Sequence, residues 1–241
     1  MDYSLQLWSI QDELAKDFDK TLKAVAALGY KGIELFSGCC NDDAATLKTK
    51  LDELGLKVVS AHISMERLQN NFREEVEYHK TLGNEYLICP WYGFENRESL
   101  DETIKLFNRL TAELKQNGLT FGYHNHNQEF EKFDGKYIMD ILLEEVPDMV
   151  FEPDVYWLAY SDLDPVEYVK KHASKIELVH LKQLGKSDDK IQSDFADGVI
   201  DMFEIVSVAT SAKHIILEQE TGEIFPSLES AKNNIEFMFN K

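Results

Sequence analysis

The sequence predicts a single (β/α)8 TIM barrel formed by residues 1–241 as one domain, and three observations carry that reading. An amphipathic helix, a glycine and a short apolar or β-branched run recur through the first half, as "AVAALGYKGIELF", "KLDELGLKVVSAHI", "YHKTLGNEYLICPW" and "AELKQNGLTFGYH". Eight apolar runs alternate with helical segments over the whole chain, and strict alternation with short connections builds a parallel sheet covered by helices. The length, 241 residues, is close to the roughly 250 that such a barrel uses. A doubly wound open sheet shares the alternation, but no GxGxxG or GxxxxGK[ST] turn supports it here.

The elements follow in order. A strand near Ser4–Trp8 precedes a helix over Phe18–Leu28, and strand Gly32–Phe36 precedes helix Ala44–Leu54. Strand Lys57–Ile63 leads to helix Glu66–Leu82, and strand Tyr86–Pro90 to helix Leu100–Gln116. Gly29, Gly55, Gly83 and Gly118 stand just past these helices, where a left-handed residue ends a helix without a Cβ penalty. Strands Leu119–His124, Met149–Asp154, Ile176–Leu181 and His214–Gln219 complete the set, each followed by a helix: Tyr137–Glu145, Pro165–His172, Met202–Thr210 and Ser227–Phe239. No low-complexity linker divides the chain. The connection "KQLGKSDDKIQSDFADGVI" is long for a compact domain, which makes it a candidate lid or substrate loop.

Composition narrows the partners. Acidic residues number 44 against 25 basic ones, for a formal charge of −19 that repels a phosphate backbone or an anionic membrane, so no nucleic acid and no membrane partner is expected. The start "MDYSLQLWSI" lacks the basic and apolar regions of a signal peptide, and no apolar run approaches the roughly 20 residues of a membrane span. A cytoplasmic protein is the expectation. Cys39, Cys40 and Cys89 match neither a disulfide framework nor a zinc spacing and read as packing or loop residues.

A barrel of this kind works at the C-terminal ends of its strands, where this sequence concentrates polar residues. In "GYHNHNQEF", His124 and His126 share one strand face with Gly122, while Tyr123 and Asn125 share the other. Asp154 ends "VFEPD", His180 ends "IELVH" and Glu218 ends "IILE". Val150, Glu152 and Asp154 lie on one face, as do Ile176, Leu178, His180 and Lys182, and Ile216, Glu218 and Glu220. Alternation does not say which face points inward. A lone histidine at a strand end is usually a hydrogen-bonded structural residue. Four imidazole or carboxylate groups at equivalent positions on consecutive strands point instead to a shared partner, because unpaired buried charges are costly. A mixed N/O set suits Zn, Mn or Co, and a carboxylate-rich one admits Mg.

Aromatics gather at the same end. Trp8, Trp91, Tyr92 and Trp157 follow the first, fourth and sixth strands, and flat apolar rings beside polar groups suit the C–H faces and hydroxyl edges of a carbohydrate. Packing under loops explains each one alone equally well. His62 in "VVSAHIS" and Glu34 in "GIELF" sit near strand ends as candidates to contact substrate or to support the ligands.

Taken together, "LQLWSIQDELAKDFDKTLKAVAALGYKGIEL", "YHNHNQEF", "DVYW", "DPVEYVKKH", "IELVHLK" and "ILEQE" resemble the sugar phosphate isomerase/epimerase family of xylose isomerase-like TIM barrels over nearly the whole chain. That resemblance implies one divalent ion held by a Glu, an Asp, a His and a second Glu from strands five to eight. Asp154, His180 and Glu218 match the last three, whereas His124 stands where many relatives have the first Glu. Epimerases of the family are thought to use two metal-bound carboxylates, one on either face of the substrate; a histidine in the first position alters that symmetry unless Glu129 serves as ligand or base. Dehydratases of the superfamily place a histidine two residues beyond the first ligand for proton abstraction, the position of His126.

The resulting expectation is a metal-dependent isomerase or epimerase that removes a proton α to the carbonyl of a sugar or keto-sugar. His126, Glu129 and Glu218 are the candidates for proton transfer, and Lys182 for holding the developing oxyanion. Trp8, His62, Trp91 and Trp157 are the candidates for substrate contact. A lyase or dehydratase acting on a keto-sugar or inosose-like polyol is the alternative in the same site, and a non-catalytic sugar-binding relative is a third. DNA repair, through a related endonuclease branch, conflicts with the −19 charge. The loops "KQLGKSDDK" and "TGEIFPS" hold no glycine-rich anion nest, which argues for an unphosphorylated substrate although Lys182 and Lys186 lie close by. A homodimer is compatible with the fold class, and nothing in the sequence locates its interface.

Overall fold

The computed structural model describes residues 2–220 and 226–240. Eight parallel strands run in order around a ring: β1 (Tyr3–Gln6), β2 (Gly32–Phe36), β3 (Lys57–His62), β4 (Tyr86–Cys89), β5 (Thr120–His124), β6 (Val150–Glu152), β7 (Leu178–Leu181) and β8 (His214–Leu217). β8 returns to pair with β1, and two isolated bridges, Phe151 to Ile176 and Asp154 to His180, join β6 to β7. The ring is therefore a nearly closed barrel, thinnest between β6 and β7.

Eleven α-helices are present among the described residues. They are α1 (Gln11–Lys16), α2 (Phe18–Ala27), α3 (Ala44–Leu54), α4 (Met65–Asn70), α5 (Phe72–Leu82), α6 (Arg97–Gln116), α7 (Ile138–Glu145), α8 (Val155–Tyr160), α9 (Pro165–His172), α10 (Met202–Val208) and α11 (Ser227–Phe239). Side-chain caps explain several starts. Asp43 accepts from the Ala45 and Thr46 amides, Asn96 and Ser99 form a reciprocal box, and Asp164 caps α9 ahead of Pro165. None of the helices is long and apolar enough to cross a membrane.

Three local features depart from the sequence expectation. The helix expected over Glu66–Leu82 breaks at Asn71, whose backbone leaves the helical region at φ −124 and ψ 26, so α4 and α5 are separate. A small hairpin, Lys132–Phe133 against Lys136–Tyr137, turns at Asp134-Gly135 with φ of 53 and 82. Both signs suit the tight primed turn that an Asp-Gly pair favours. The long connection after β7 is folded and pinned. Gln183 Nε2 donates to the Phe195 and Ile200 carbonyls, and Gln183 Oε1 accepts from the Leu184 and Ile200 amides. Gly198 makes this possible, because a Cβ there would stand 2.1 Å from the Gln183 side chain. Residues 221–225 of "TGEIFPS" lie outside the described residues.

Strand alternation sorts the core into two bodies. Outward residues such as Leu5, Ile33, Leu87, Phe121, Phe151 and Val179 pack against the helices. Inside the barrel, Val59, Tyr86, Ile88, Val150, Leu178 and Ile216 form a separate apolar plug. Gly122 belongs to this plug, since a Cβ on it would meet Ile88 and Val150 at 2.4 and 2.7 Å. One step along the strands toward their C-terminal ends, the interior turns polar.

Candidate metal centre

A two-residue step along β6, β7 and β8 carries the interior from Val150, Leu178 and Ile216 to Glu152, His180 and Glu218. On β5 the same step leads from Gly122 to His124. β2 and β3 contribute through a bulge: Ile33 pairs with Val58 but Glu34 pairs with Ser60, so Val59 is an extra residue. Ser60 and His62 consequently face Glu34 inside the barrel. Asp154 lies just beyond β6 as the cap of α8, and its Oδ1 accepts from the Tyr156 and Trp157 amides. That anchoring leaves Oδ2 aimed at the barrel axis.

The ligand-type atoms form two overlapping groups, each within 4.8 Å: His124, Asp154, His180 and Glu218, and below them His62, His124, Glu152 and His180. All are buried. His180 Nδ1 is 2.8 Å from Glu218 Oε2, and His180 Nε2 is 2.6 Å from Glu34 Oε2. Glu34 is itself held by Gln6 Nε2 at 2.6 Å and by the Ser60 hydroxyl. A ligating histidine usually donates its second nitrogen to a carboxylate that orients the ring, and Glu34 is placed for that role toward His180. His124 Nε2 lies 3.8 Å from Asp154 Oδ2, and His124 Nδ1 lies 3.5 Å from Glu152 Oε2.

The electrostatics of the enclosed groups diverge by position. Burial, reinforced by Glu34, pushes the Glu152 carboxyl up to about 7. Burial likewise takes Asp154 up to about 7 against the pull of Lys182. For Glu34, burial is outweighed by His62 and His180, which bring it down to about 2. Glu218 is held low because Lys182 and His180 overcome its burial. His180 is raised, since Glu152 and Glu34 overcome burial, whereas burial and the neighbouring His180 and His62 lower His124.

Asp154 Oδ2, Glu152 Oε1 and His124 Nδ1 are enclosed yet make no hydrogen bond. Orphaned donors and acceptors of this kind are rare in folded proteins, and a mixed set of imidazole and carboxylate atoms is the donor chemistry of a divalent cation. The residues fit such an ion. Above them opens a cavity of about 400 Å³ lined by Trp8, Phe36, His62, His124, His126, Glu218 and others.

The structure brings His124, Asp154, His180 and Glu218 together, with His62 and Lys182 beside them. His126 lines the cavity; its Nδ1 has no partner, and its ring lies 5.2 Å from that of Trp157. Trp8 lines the cavity and packs edge-on against Phe36. Glu129 is not brought to the cluster. Its carboxylate accepts from the Tyr123 hydroxyl, the His126 amide and the Gln128 side chain, because Tyr123 points outward from β5 and draws it to that side. Trp91 is 58 % exposed and outside the cavity lining, although its neighbour Pro90 belongs to it. Trp157 backs His126 rather than lining the cavity. Lys182 is fully buried behind the lining, with Nζ 2.9 Å from Glu220 Oε1, 3.6 Å from Asp154 Oδ2 and 3.9 Å from Glu218 Oε2. The connection after β7 lies outside the lining too, except that Gln192 accepts from the Glu220 amide. Sequence reasoning missed Glu152, Gln6, Ser60 and Glu220 as members; the shared parity of Glu152 with Asp154 and of Glu220 with Glu218 was the available signal for those two.

Comparison with known proteins finds relatives of this chain and of its fold. An inosose dehydratase of Clostridium perfringens is 25% identical over 210 residues, covering 74% of this chain and 69% of that protein. A sugar phosphate isomerase/epimerase from Parabacteroides distasonis superposes with a TM-score of 0.85 at 22% identity, over 98% of this chain and 93% of that one. The IolI protein, whose structure holds a zinc atom, superposes with a TM-score of 0.72 at 13% identity, over 99% and 96%. Residues 22–241 match the sequence pattern of xylose isomerase-like TIM barrels, and the chain belongs to that family.

Proposed function

We propose that the protein is a divalent-metal-dependent enzyme that removes a proton α to the carbonyl of an uncharged polyhydroxylated ketone, such as a keto-sugar or an inosose. The observation that carries this reading is a buried four-ligand cluster, in which His124 Nδ1 and Asp154 Oδ2 make no hydrogen bond, at the floor of a cavity whose lining includes the His126 imidazole. We assign His124, Asp154, His180 and Glu218 as ligands of the ion, which supplies Lewis-acid polarisation of the substrate carbonyl when bound. The mixed imidazole and carboxylate donors make Zn, Mn, Co and Mg the ions to test, and the zinc atom in IolI puts zinc first.

Burial and the nearby Lys182 lower His126 to about 4, so the imidazole is neutral at neutral pH and can accept a proton. The His126 imidazole takes the α-proton, and the freed electron pair moves toward the carbonyl oxygen. For dehydration, that pair then forms the carbon–carbon double bond while the β-hydroxyl takes up the proton carried by His126 and leaves as water. Lys182 does not reach the cavity lining; its charge holds Glu218 ionised and opposes the effect of burial on Asp154. Glu34, Gln6 and Ser60 hold His180 in orientation, and Trp8 offers the ring face against which a polyol can lie. The inosose dehydratase relatives and the single imidazole base favour elimination of water. Isomerisation or epimerisation is the second reading, favoured by Glu218, a second proton-transfer group in the same lining.

Metal content of the purified protein tests this function. Wild type is expected to carry about one equivalent of a divalent ion, lost in Asp154→Ala and His180→Ala. The loaded protein should then exchange a carbon-bound proton of a neutral keto-polyol with heavy water. Release of a product lighter by one water identifies a dehydratase, and a rearranged isomer identifies an isomerase. Failure to bind metal in excess ions removes the enzymatic reading. Metal without proton exchange leaves a sugar-binding protein.

A further inference from the structure

We propose that Glu220 sets the charge selectivity of the cavity: by occupying the Lys182 ammonium from the cavity side, it makes the site refuse anionic ligands. The inference rests on the cavity being the ligand site. Among the described residues the lining includes two carboxylates, Glu218 and Glu220, and neither lysine nor arginine. The cation nearest the cluster, Lys182, is fully buried, whereas the Glu220 side chain is 34% exposed, so Glu220 stands between that ammonium and the solvent-filled space. The Nζ to Oε1 distance of 2.9 Å makes it the closest of the three carboxylates around Lys182, ahead of Asp154 and Glu218.

Two further contacts hold the arrangement. Lys182 Nζ lies 5.4 Å from the ring centroids of both Tyr156 and Trp157, which add cation–π contacts to the ammonium. The Glu220 amide donates to Gln192 Oε1 at 2.8 Å, tying the end of β8 to the folded connection that follows β7. An incoming phosphate or carboxylate would meet Glu220 before the Lys182 ammonium, and like-charge contact is a strong means of rejecting a wrong ligand. A neutral polyol meets no such repulsion, and its hydroxyls can donate to the same oxygens. Glu220 thus converts a buried lysine, which in an open site would recruit anions, into an internal counter-charge.

The test measures sulfate binding by titration calorimetry to wild type, Glu220→Gln, Lys182→Met and the double variant, with metal content and far-ultraviolet dichroism recorded for each. Sulfate reports anion affinity without turnover, so the result is independent of whether the proposed reaction occurs. Wild type is expected to bind sulfate negligibly. Glu220→Gln should bind it roughly tenfold or more tighter, and Lys182→Met in that background should abolish the gain. Glu220→Ser, which removes the charge with less bulk, serves as a second variant and should show the same gain. An unchanged sulfate affinity in folded Glu220→Gln and Glu220→Ser overturns the proposal. A gain that survives Lys182→Met, or wild type already binding sulfate as tightly as the variants, overturns it as well.

Discussion

His126 presents an imidazole whose Nδ1 is buried without a partner, two residues past a ligand-type histidine on the same strand parity. Alternation along "GYHNH" put it on the same face as His124 but did not say which way that face points. The course of Glu129 was not legible, because the chain leaves the strand after His124 and its carboxylate is captured by Tyr123 on the outward side. Replacing His126 by Gln removes the base without touching a proposed ligand. Carbon-bound proton exchange is then expected to fall by about 10²- to 10⁴-fold with metal content unchanged, as read by exchange of the loaded enzyme in heavy water. Loss of metal together with exchange would instead give His126 a structural role.

At the scale of elements, α4 and α5 illustrate a break that periodicity hides. Their apolar pattern runs on across Asn71, yet the backbone opens there, and Glu75 in the first turn of α5 ties the two helices by accepting from Arg67 Nε at 2.6 Å. His79, one turn further on, reaches the same carboxylate. Burial acts to raise the Glu75 carboxyl, but the His79 and Arg67 contacts outweigh it and hold the group below its ordinary value. A carboxyl lowered in the folded state contributes stability that is complete above its unfolded value and is lost as pH falls through the folded one. Glu75→Gln should therefore cost about 1 kcal/mol at pH 7, modest because Arg67 is half exposed, and should flatten the loss of stability below about pH 5. Denaturant unfolding of both proteins across a pH series checks this, and parallel curves would contradict it.

For the whole molecule, the barrel interior is where local pattern and long-range packing meet. The apolar plug and the polar cluster above it are successive inward positions of the same strands, so a disturbance of the plug reaches the ligands. Gly122 is the tightest point, with Ile88 on one side and Val150 on the other. Gly122→Ala should destabilise the protein by about 1–3 kcal/mol through overpacking, measured by denaturant unfolding; a neutral effect would mean that β5 can shift outward. By itself the sequence determined the alternation of strands and helices, hence the barrel class, and the shared parity that puts His124, His180 and Glu218 at equivalent strand ends. Both are local: a period of two or 3.6 is written in residues a few positions apart. Only the tertiary structure decided that this parity faces inward, that a bulge at Val59 turns Ser60 and His62 toward Glu34, and that Glu129 bonds outward. It also decided that Glu220 covers Lys182. Each of these depends on which strands and loops close around the axis, a relation among residues far apart in the chain that no local period records.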